Sequence, residues 1–387
     1  MKDAFPPLDV QLELPPGVVD FRWGHPAASL LPAAEVARAA DAALAKGGIA
    51  ALSYGRVGGP ASLIEPLTDW LARHDDPIPT GNRLFITAGI SQGLDLVCTL
   101  FSKPGEVALV ESPVYHLALK IFRDHGLVLA PVEADQDGMR PGALAGALAQ
   151  VKAAGQRARF IYTVPTYNNP SSAIMPAGRR REVVALAEAA GATVLEDDVY
   201  RHLWFQAPPP PPMQAYGEPG SVIRLGSFSK ILAPGLRLGW LLAPPAVVER
   251  CNDSGLLDSG GGLSHLASYI AGEFIGLGLL DAHVERLRQG YRARCEALVE
   301  ALGEHIPRSV TWTRPGGGFF VWVTLPEGVE SEELQGRAAE AGVAFVPGSR
   351  FCCCGGCESN VRLAFSLLDE AELREGAKRL AQALTFF

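Results

Sequence analysis

Between residues 84 and 243 the chain alternates short apolar runs, closed by turn residues, with longer Ala/Leu/Glu/Arg-rich stretches. The runs at 84–87, 106–110, 128–132, 159–163, 193–196, 222–226 and 238–242 have strand length, and stretches such as 179–190 carry the 3.6-residue period of a helix. Near-continuous apolar strands separated by helices predict a largely parallel sheet covered on both faces, an α/β fold. From about residue 281 the texture changes. A long amphipathic helix over 281–302 leads into strands at 310–314 and 319–325, a helix at 332–341, short strands at 343–346 and 362–365, and a final helix from Asp369. This pattern predicts a smaller α+β domain formed by 1–45 with 281–387, beside a large domain over 46–280. No internal repeat is visible, which excludes a solenoid or propeller.

Composition narrows the partners. Of 387 residues, 48% are hydrophobic and 20% charged, and the net charge is −8, so no basic surplus favours nucleic acid or an anionic membrane. No run of 18 apolar residues and no signal-peptide core appear, which predicts a cytoplasmic protein without a membrane span. Seven cysteines, an odd count, do not make a disulfide framework. Four of them lie at Cys352, Cys353, Cys354 and Cys357; the pair Cys354 and Cys357 has C-x-x-C spacing, but no second knuckle exists. The reading is a Gly-rich surface loop that carries thiols, with no metal. The eight histidines fall singly, without metal spacing, so most are expected at the surface or as caps, and the five prolines at 208–212 predict a rigid exposed loop.

The most specific chemistry lies in Ser227-Phe228-Ser229-Lys230, with Arg237 seven positions on. A lysine framed by hydroxyls and followed by a guanidinium suits an amine that condenses with an aldehyde beside a phosphate, the requirement of pyridoxal phosphate (PLP). Such a cofactor also needs a carboxylate against its pyridine nitrogen and a donor near its ring oxygen. Asp197 and Tyr200, at the end of one strand candidate, and Asn169, after another, answer these needs. Each of Asn169, Asp197 and Lys230 follows a strand, and in parallel sheets ligands sit beyond the carboxyl ends of strands, so the three converge on one cleft.

Together these motifs resemble the fold-type I PLP-dependent aminotransferases of class I/II, the group that includes 2-aminoadipate and kynurenine aminotransferases. Asn169-Pro170, Asp197 to Tyr200 and Ser227 to Lys230 match the family's Asn-Pro, Asp-x-x-Tyr and Ser-x-Ser-Lys motifs, and the 28 residues from Asn169 to Asp197 (197 − 169) match its interval. The resemblance implies further roles. Thr87 to Leu96, with Ile90 and Ser91, is similar to the phosphate loop that opens a helix; Tyr115 would stack on the cofactor ring; Arg362 would grip the substrate α-carboxylate. Tyr54 would reach the phosphate of a neighbouring subunit's cofactor, which implies a homodimer with shared sites. The segment holding Arg22 and Gly24 would lie against the substrate.

Departures from the family pattern concern the substrate more than the cofactor. Ile90 stands where Ser or Ala is usual, Ser171-Ser172 replaces Thr-Gly or Ala-Gly after the Asn-Pro turn, and Trp23 replaces a glycine. The implied activity is an amino-group exchange between an amino acid and a 2-oxo acid through a Lys230 Schiff base. Glutamate and 2-oxoglutarate would form one pair, and 2-aminoadipate, an aromatic or a large aliphatic amino acid the other. Two rival readings share the scaffold: a PLP-dependent lyase or decarboxylase, and a ligand-sensing regulatory module. The latter would carry a basic winged helix-turn-helix ahead of the fold.

Overall fold

A computed structural model of the chain describes residues 16–74, 76, 78 and 83–385. The first strand, β1 (Val19–Asp20), belongs to a two-stranded ribbon. Seven strands then match the seven apolar runs read from the sequence: β2 (Arg83–Thr87), β3 (Val107–Ser112), β4 (Val128–Asp135), β6 (Ala158–Thr163), β7 (Thr193–Asp197), β8 (Val222–Ser227) and β9 (Gly239–Ala243). A two-residue strand, β5 (Gly138–Met139), completes an eight-stranded sheet of order β2-β9-β8-β7-β6-β3-β4-β5.

The sheet is mixed. β4, β3, β6, β7 and β8 run parallel, whereas β9 is antiparallel to both β8 and β2, and β5 pairs antiparallel with β4. The central strands are buried almost without interruption, as strands covered on both faces must be. Close approach of β8 and β9 depends on Gly226, where a Cβ would meet the Trp240 indole at 2.1 Å.

Helices between the strands follow the predicted alternation. Ala177–Ala190 covers 179–190 and ends at Gly191, whose left-handed φ of 64° lets the chain turn back into β7. Helix Ile90–Phe101 starts after Gly89, at φ 91°.

The C-terminal third forms a four-stranded sheet, β10 (Thr311–Trp312), β11 (Phe320–Thr324), β14 (Asn360–Ala364) and β13 (Val346–Pro347), in antiparallel order β10-β11-β14-β13. The expected single strand over 343–346 is two: β12 (Val343–Ala344) pairs with β1, and β13 joins the four-stranded sheet. Phe345, fully buried between them, marks the switch. The strand expected at 310–314 pairs only at Thr311 and Trp312. The long helix runs Leu279–His305, and the last, Glu370–Leu384, opens on a reciprocal capping box between Asp369 and Glu372.

Two further expectations need correction. The proline run is half-buried in part and bonded into the molecule: the Pro210 and Pro211 carbonyls accept from Arg201 and Arg180. Carbonyls that proline leaves without a ladder still require donors, and two buried arginines supply them. His202 and His283 are buried as well, 6% and 1% exposed, where a surface or capping role was expected. Among the described residues no helix is long and apolar enough to cross a membrane, and no group of three or more His, Cys, Asp or Glu suits a metal ion.

Candidate active site

The carboxyl ends of β2, β3, β6, β7 and β8 open on a cleft of about 570 Å³, closed on its other side by the segment around Gly24 and by Phe320, Val346 and Arg362. Its lining brings together Arg22, Gly24, Ile90, Ser91, Tyr115, Asn169, Asp197, Tyr200, Ser227, Ser229, Lys230, Arg237 and Arg362. Tyr54 is the site candidate that lies elsewhere. It is 88% exposed and lines a second concavity with Leu52, Gly261 and His265.

β7 ends in Glu196 and Asp197, and Asp198 follows directly, so the three consecutive acids point alternately to either side. Glu196 accepts from the Met213 and Gln214 amides, and Asp198 accepts from Arg224 at 2.8 Å. Against its burial, Arg224 and then Arg201 hold Asp198 below the usual carboxylate range. Asp197 instead faces the cleft. Its Oδ2 accepts the Tyr162 hydroxyl at 2.7 Å, while Oδ1 is buried without a partner. Burial, reinforced by the Asp198 charge and opposed by the Tyr162 hydrogen bond, pushes this carboxyl up to about 7. Tyr162 is the contributor the sequence reading missed. Its place one strand over, pointing to the same face, was legible only once the β6–β7 register was known.

Lys230 follows β8 and donates from Nζ to the Gly24 carbonyl at 2.7 Å. Burial, then the Arg362 and Arg237 cations, draw its amine down to about 8, with Asp197 pulling the other way. Gly24 has no room for a side chain, since a Cβ would meet the Phe320 ring at 2.6 Å. Arg362, on β14, donates from Nη1 to Asn169 Oδ1 at 3.0 Å and from Nη2 to the Arg22 carbonyl, and its guanidinium carbon lies 4.4 Å from the Phe320 ring centre. Its Nε has no partner, and burial lowers the group to about 10.

Asn169 enters the cleft after β6 through a cis bond to Pro170, and Tyr115 after β3 beyond the cis Ser112-Pro113 bond. Burial raises Tyr115 to about 12 and Tyr200 further; the Tyr200 ring stands edge-on to Phe319 and Phe320 at 5.3 and 5.9 Å. His116 also lines the cleft. It keeps a buried Nδ1 without a partner, and burial, then Arg362 and Arg350, hold it at about 4, hence neutral.

At the other end, Ser227 Oγ accepts from the Ser229 amide at 3.0 Å, and Arg237 Nη2 donates to the Ala88 carbonyl at 3.2 Å. A Cβ at position 89 would meet that Nη2 at 2.7 Å, so the glycine keeps the cradle open. The first-turn amides of Ile90–Phe101 have no intrahelical acceptors and add the positive end of a helix dipole. An anion subsite thus lies at one end, an unpartnered carboxylate oxygen and a depressed lysine at the middle, and a buried arginine at the other. PLP fits this set, having a phosphate, a ring nitrogen that carries a proton, and an aldehyde.

Fold and cleft together define a fold-type I enzyme of PLP chemistry. The family model for aminotransferase class I and II matches residues 16–380, and the chain belongs to that family as a PLP-dependent aminotransferase. It is 36% identical to a 2-aminoadipate transaminase of Thermus thermophilus over 95% of this chain and 90% of that protein. To aromatic-amino-acid aminotransferase 1 of Thermococcus litoralis it is 34% identical, over 95% of this chain and 88% of that one. The crystal structure of LysN, an α-aminoadipate aminotransferase from Thermus thermophilus complexed with N-(5'-phosphopyridoxyl)-L-leucine, matches with a TM-score of 0.84. Identity there is 34%, over 96% of this chain and 93% of that one.

Proposed function

We propose that Lys230 is the residue that carries PLP and moves the proton of amino-group transfer. When bound, PLP supplies an electron sink for the bond pair released at the substrate α-carbon. Lys230 Nζ, drawn down to about 8, has a neutral fraction at physiological pH with which to take that proton and return it. Asp197 Oδ1 would accept from the protonated ring nitrogen, and Tyr162 fixes the carboxylate by holding Oδ2. Asn169 gives its carbonyl oxygen to Arg362, which leaves its amide N–H₂, with the Tyr200 hydroxyl, as the groups that would hold the ring oxygen. Tyr115 would stack on the ring, and Ser227, Ser229, Arg237 and the amides and hydroxyl of Ile90 and Ser91 would hold the phosphate. Arg362 holds the substrate carboxylate with Gly24 and Arg22 beside it. The observation that carries this reading is the buried, unpartnered Asp197 Oδ1 in one cleft with Lys230 and Arg362.

For substrate we propose glutamate and 2-oxoglutarate as one pair, with 2-aminoadipate, aromatic or large aliphatic amino acids as the other. The names of the relatives support the second half, and Trp23 provides apolar area. Arg22 offers a guanidinium, yet Asp20 already grips it through Nε and Nη2 at 2.9 and 2.6 Å. The ion pair offsets much of its charge, so preference for an acidic side chain over leucine should stay within about tenfold, the low end of a charged contact's 1.5–3 kcal/mol.

We also propose a cytoplasmic homodimer in which Tyr54 of a second copy completes the phosphate site. Support comes from exposed hydrophobic residues: Leu52, which lines the same concavity as Tyr54, is 70% exposed, and Ile49 and Leu256 are 84% and 81% exposed. Residues 46–280 are the proposed large domain, and 1–45 with 281–387 the small one; the β1–β12 pairing, which ties the N-terminal segment to the C-terminal third, supports that division.

The test is a half-reaction screen: holoenzyme mixed with each amino acid in turn while the cofactor absorbance is followed. Glutamate and at least one of 2-aminoadipate, phenylalanine or leucine should discharge it. Inertness toward glutamate refutes the substrate reading alone. If borohydride still fixes PLP covalently to Lys230→Ala protein, the assignment of Lys230 fails.

A further inference from the structure

Four thiols crowd into residues 352–357, between the turn Gly348–Phe351 and β14. Three successive positive φ angles, at Gly355 (85°), Gly356 (107°) and Cys357 (63°), fold this loop back on itself. As a result Cys352 Sγ and Cys357 Sγ lie 3.0 Å apart. Cys357 also packs against Phe351, Trp322 and Val346, and the Phe351 ring centre lies 5.0 Å from the Arg362 guanidinium carbon.

The other cysteines are placed differently. Cys353 and Cys354 have sulfurs 3.5 Å apart, but as chain neighbours their Cα atoms sit about 3.8 Å apart, short of the roughly 4.4–6.8 Å that disulfides span. Cys98, Cys251 and Cys295 are buried, and burial pushes their thiols up to about 12, 11 and 12. Cys352 goes the other way. The hydrogen bond with Cys357, against burial and with help from Ser112, holds its thiol below the usual range and favours the thiolate.

We propose that Cys352 and Cys357 form an oxidant-responsive dithiol, a modification site that hydroperoxides convert to a disulfide. The Cys352 thiolate attacks the O–O bond of hydrogen peroxide; an S–O bond forms, hydroxide leaves and takes up a proton as water. Cys357 sulfur then attacks Cys352 sulfur, the S–O bond breaks, and the departing hydroxide leaves as water with the Cys357 proton. Two thiols lose two electrons to one peroxide, giving one disulfide and two waters. The modified loop would lie directly behind the ring that backs Arg362.

All four loop cysteines fall between Arg350 and Arg362, so one tryptic peptide carries them and thiol counting in variants is the discriminating measurement. The holoenzyme with Cys353→Ser and Cys354→Ser has five cysteines (7 − 2). After hydrogen peroxide in slight excess, followed by denaturation, it should show three thiols, and five again after dithiothreitol. The holoenzyme with Cys352→Ser and Cys357→Ser should keep all five. Five thiols surviving in the first variant overturn the proposal, as does a dithiothreitol-reversible loss of two in the second. Loss that dithiothreitol does not reverse, or a cross-link between chains on a non-reducing gel, overturns it equally.

Discussion

Replacing Asp197 by asparagine probes the centre of the site twice, without cofactor and with it. In the apoprotein the carboxyl is 3% exposed and titrates at about 7, against 3.8 for an ordinary aspartate, chiefly because burial disfavours its charge. The folded state therefore binds this proton more tightly than the unfolded state. Its stabilising effect is complete below about pH 4 and is lost as pH rises through 7. A tenfold change in proton binding is about 1.4 kcal/mol, so the loss over that window is about 4 kcal/mol at most, and about 2–3 kcal/mol between pH 5 and pH 8. Asparagine does not titrate. Urea denaturation of both apoproteins at the two pH values should show the variant gaining on the wild type by about 2 kcal/mol at pH 8. Glu111 and Glu196, also raised to about 7 by burial, cancel in this difference because both proteins contain them. With PLP bound the sign reverses, because the amide cannot hold the ring proton. Losing a charge-assisted hydrogen bond of about 1.5–3 kcal/mol should lower kcat by roughly 10- to 150-fold, with cofactor content near normal. A difference in stability that is flat or falls with pH, or a kcat within threefold of wild type, would refute the placement of Asp197.

Arg362→Lys should raise KM for the amino acid by about 10- to 150-fold, the worth of a bidentate charged contact, while PLP content is unchanged; half-reaction titrations measure both. Tyr162→Phe frees Asp197 Oδ2 and should cost about tenfold in kcat, with the carboxyl rising further in the apoprotein, as carboxyl-selective infrared titration would report. Tyr54→Ala should weaken PLP retention on dialysis without altering the thermal midpoint of the apoprotein; unchanged retention removes it from the site. Gly226→Ala drives a methyl into the Trp240 indole and should destabilise the fold by at least about 1–3 kcal/mol in denaturant.

What the chain declares by itself is local. The apolar runs that became β2, β3 and β6 to β9 were legible because a strand buried on both faces must be apolar throughout, and the final helix because Asp369 and Glu372 form its cap from three residues apart. The motifs around Asn169, Asp197 and Lys230 were legible for the same reason, as each is a few residues at the end of a strand. Tertiary structure decided the rest. Direction within a sheet depends on partners, so β9 running against its neighbours left no mark in its own residues. Only the β6–β7 register sets Tyr162 on Asp197, and only packing assigns Asp198 to Arg224 while leaving Asp197 Oδ1 open. The cleft closes through contacts 193 to 340 residues apart along the chain: Arg362 with Asn169 and Arg22, and Lys230 with Gly24. Hydrogen bonds act over a few ångströms whatever the sequence separation. Residue order therefore names the groups that do the chemistry, and the fold alone determines which of them meet.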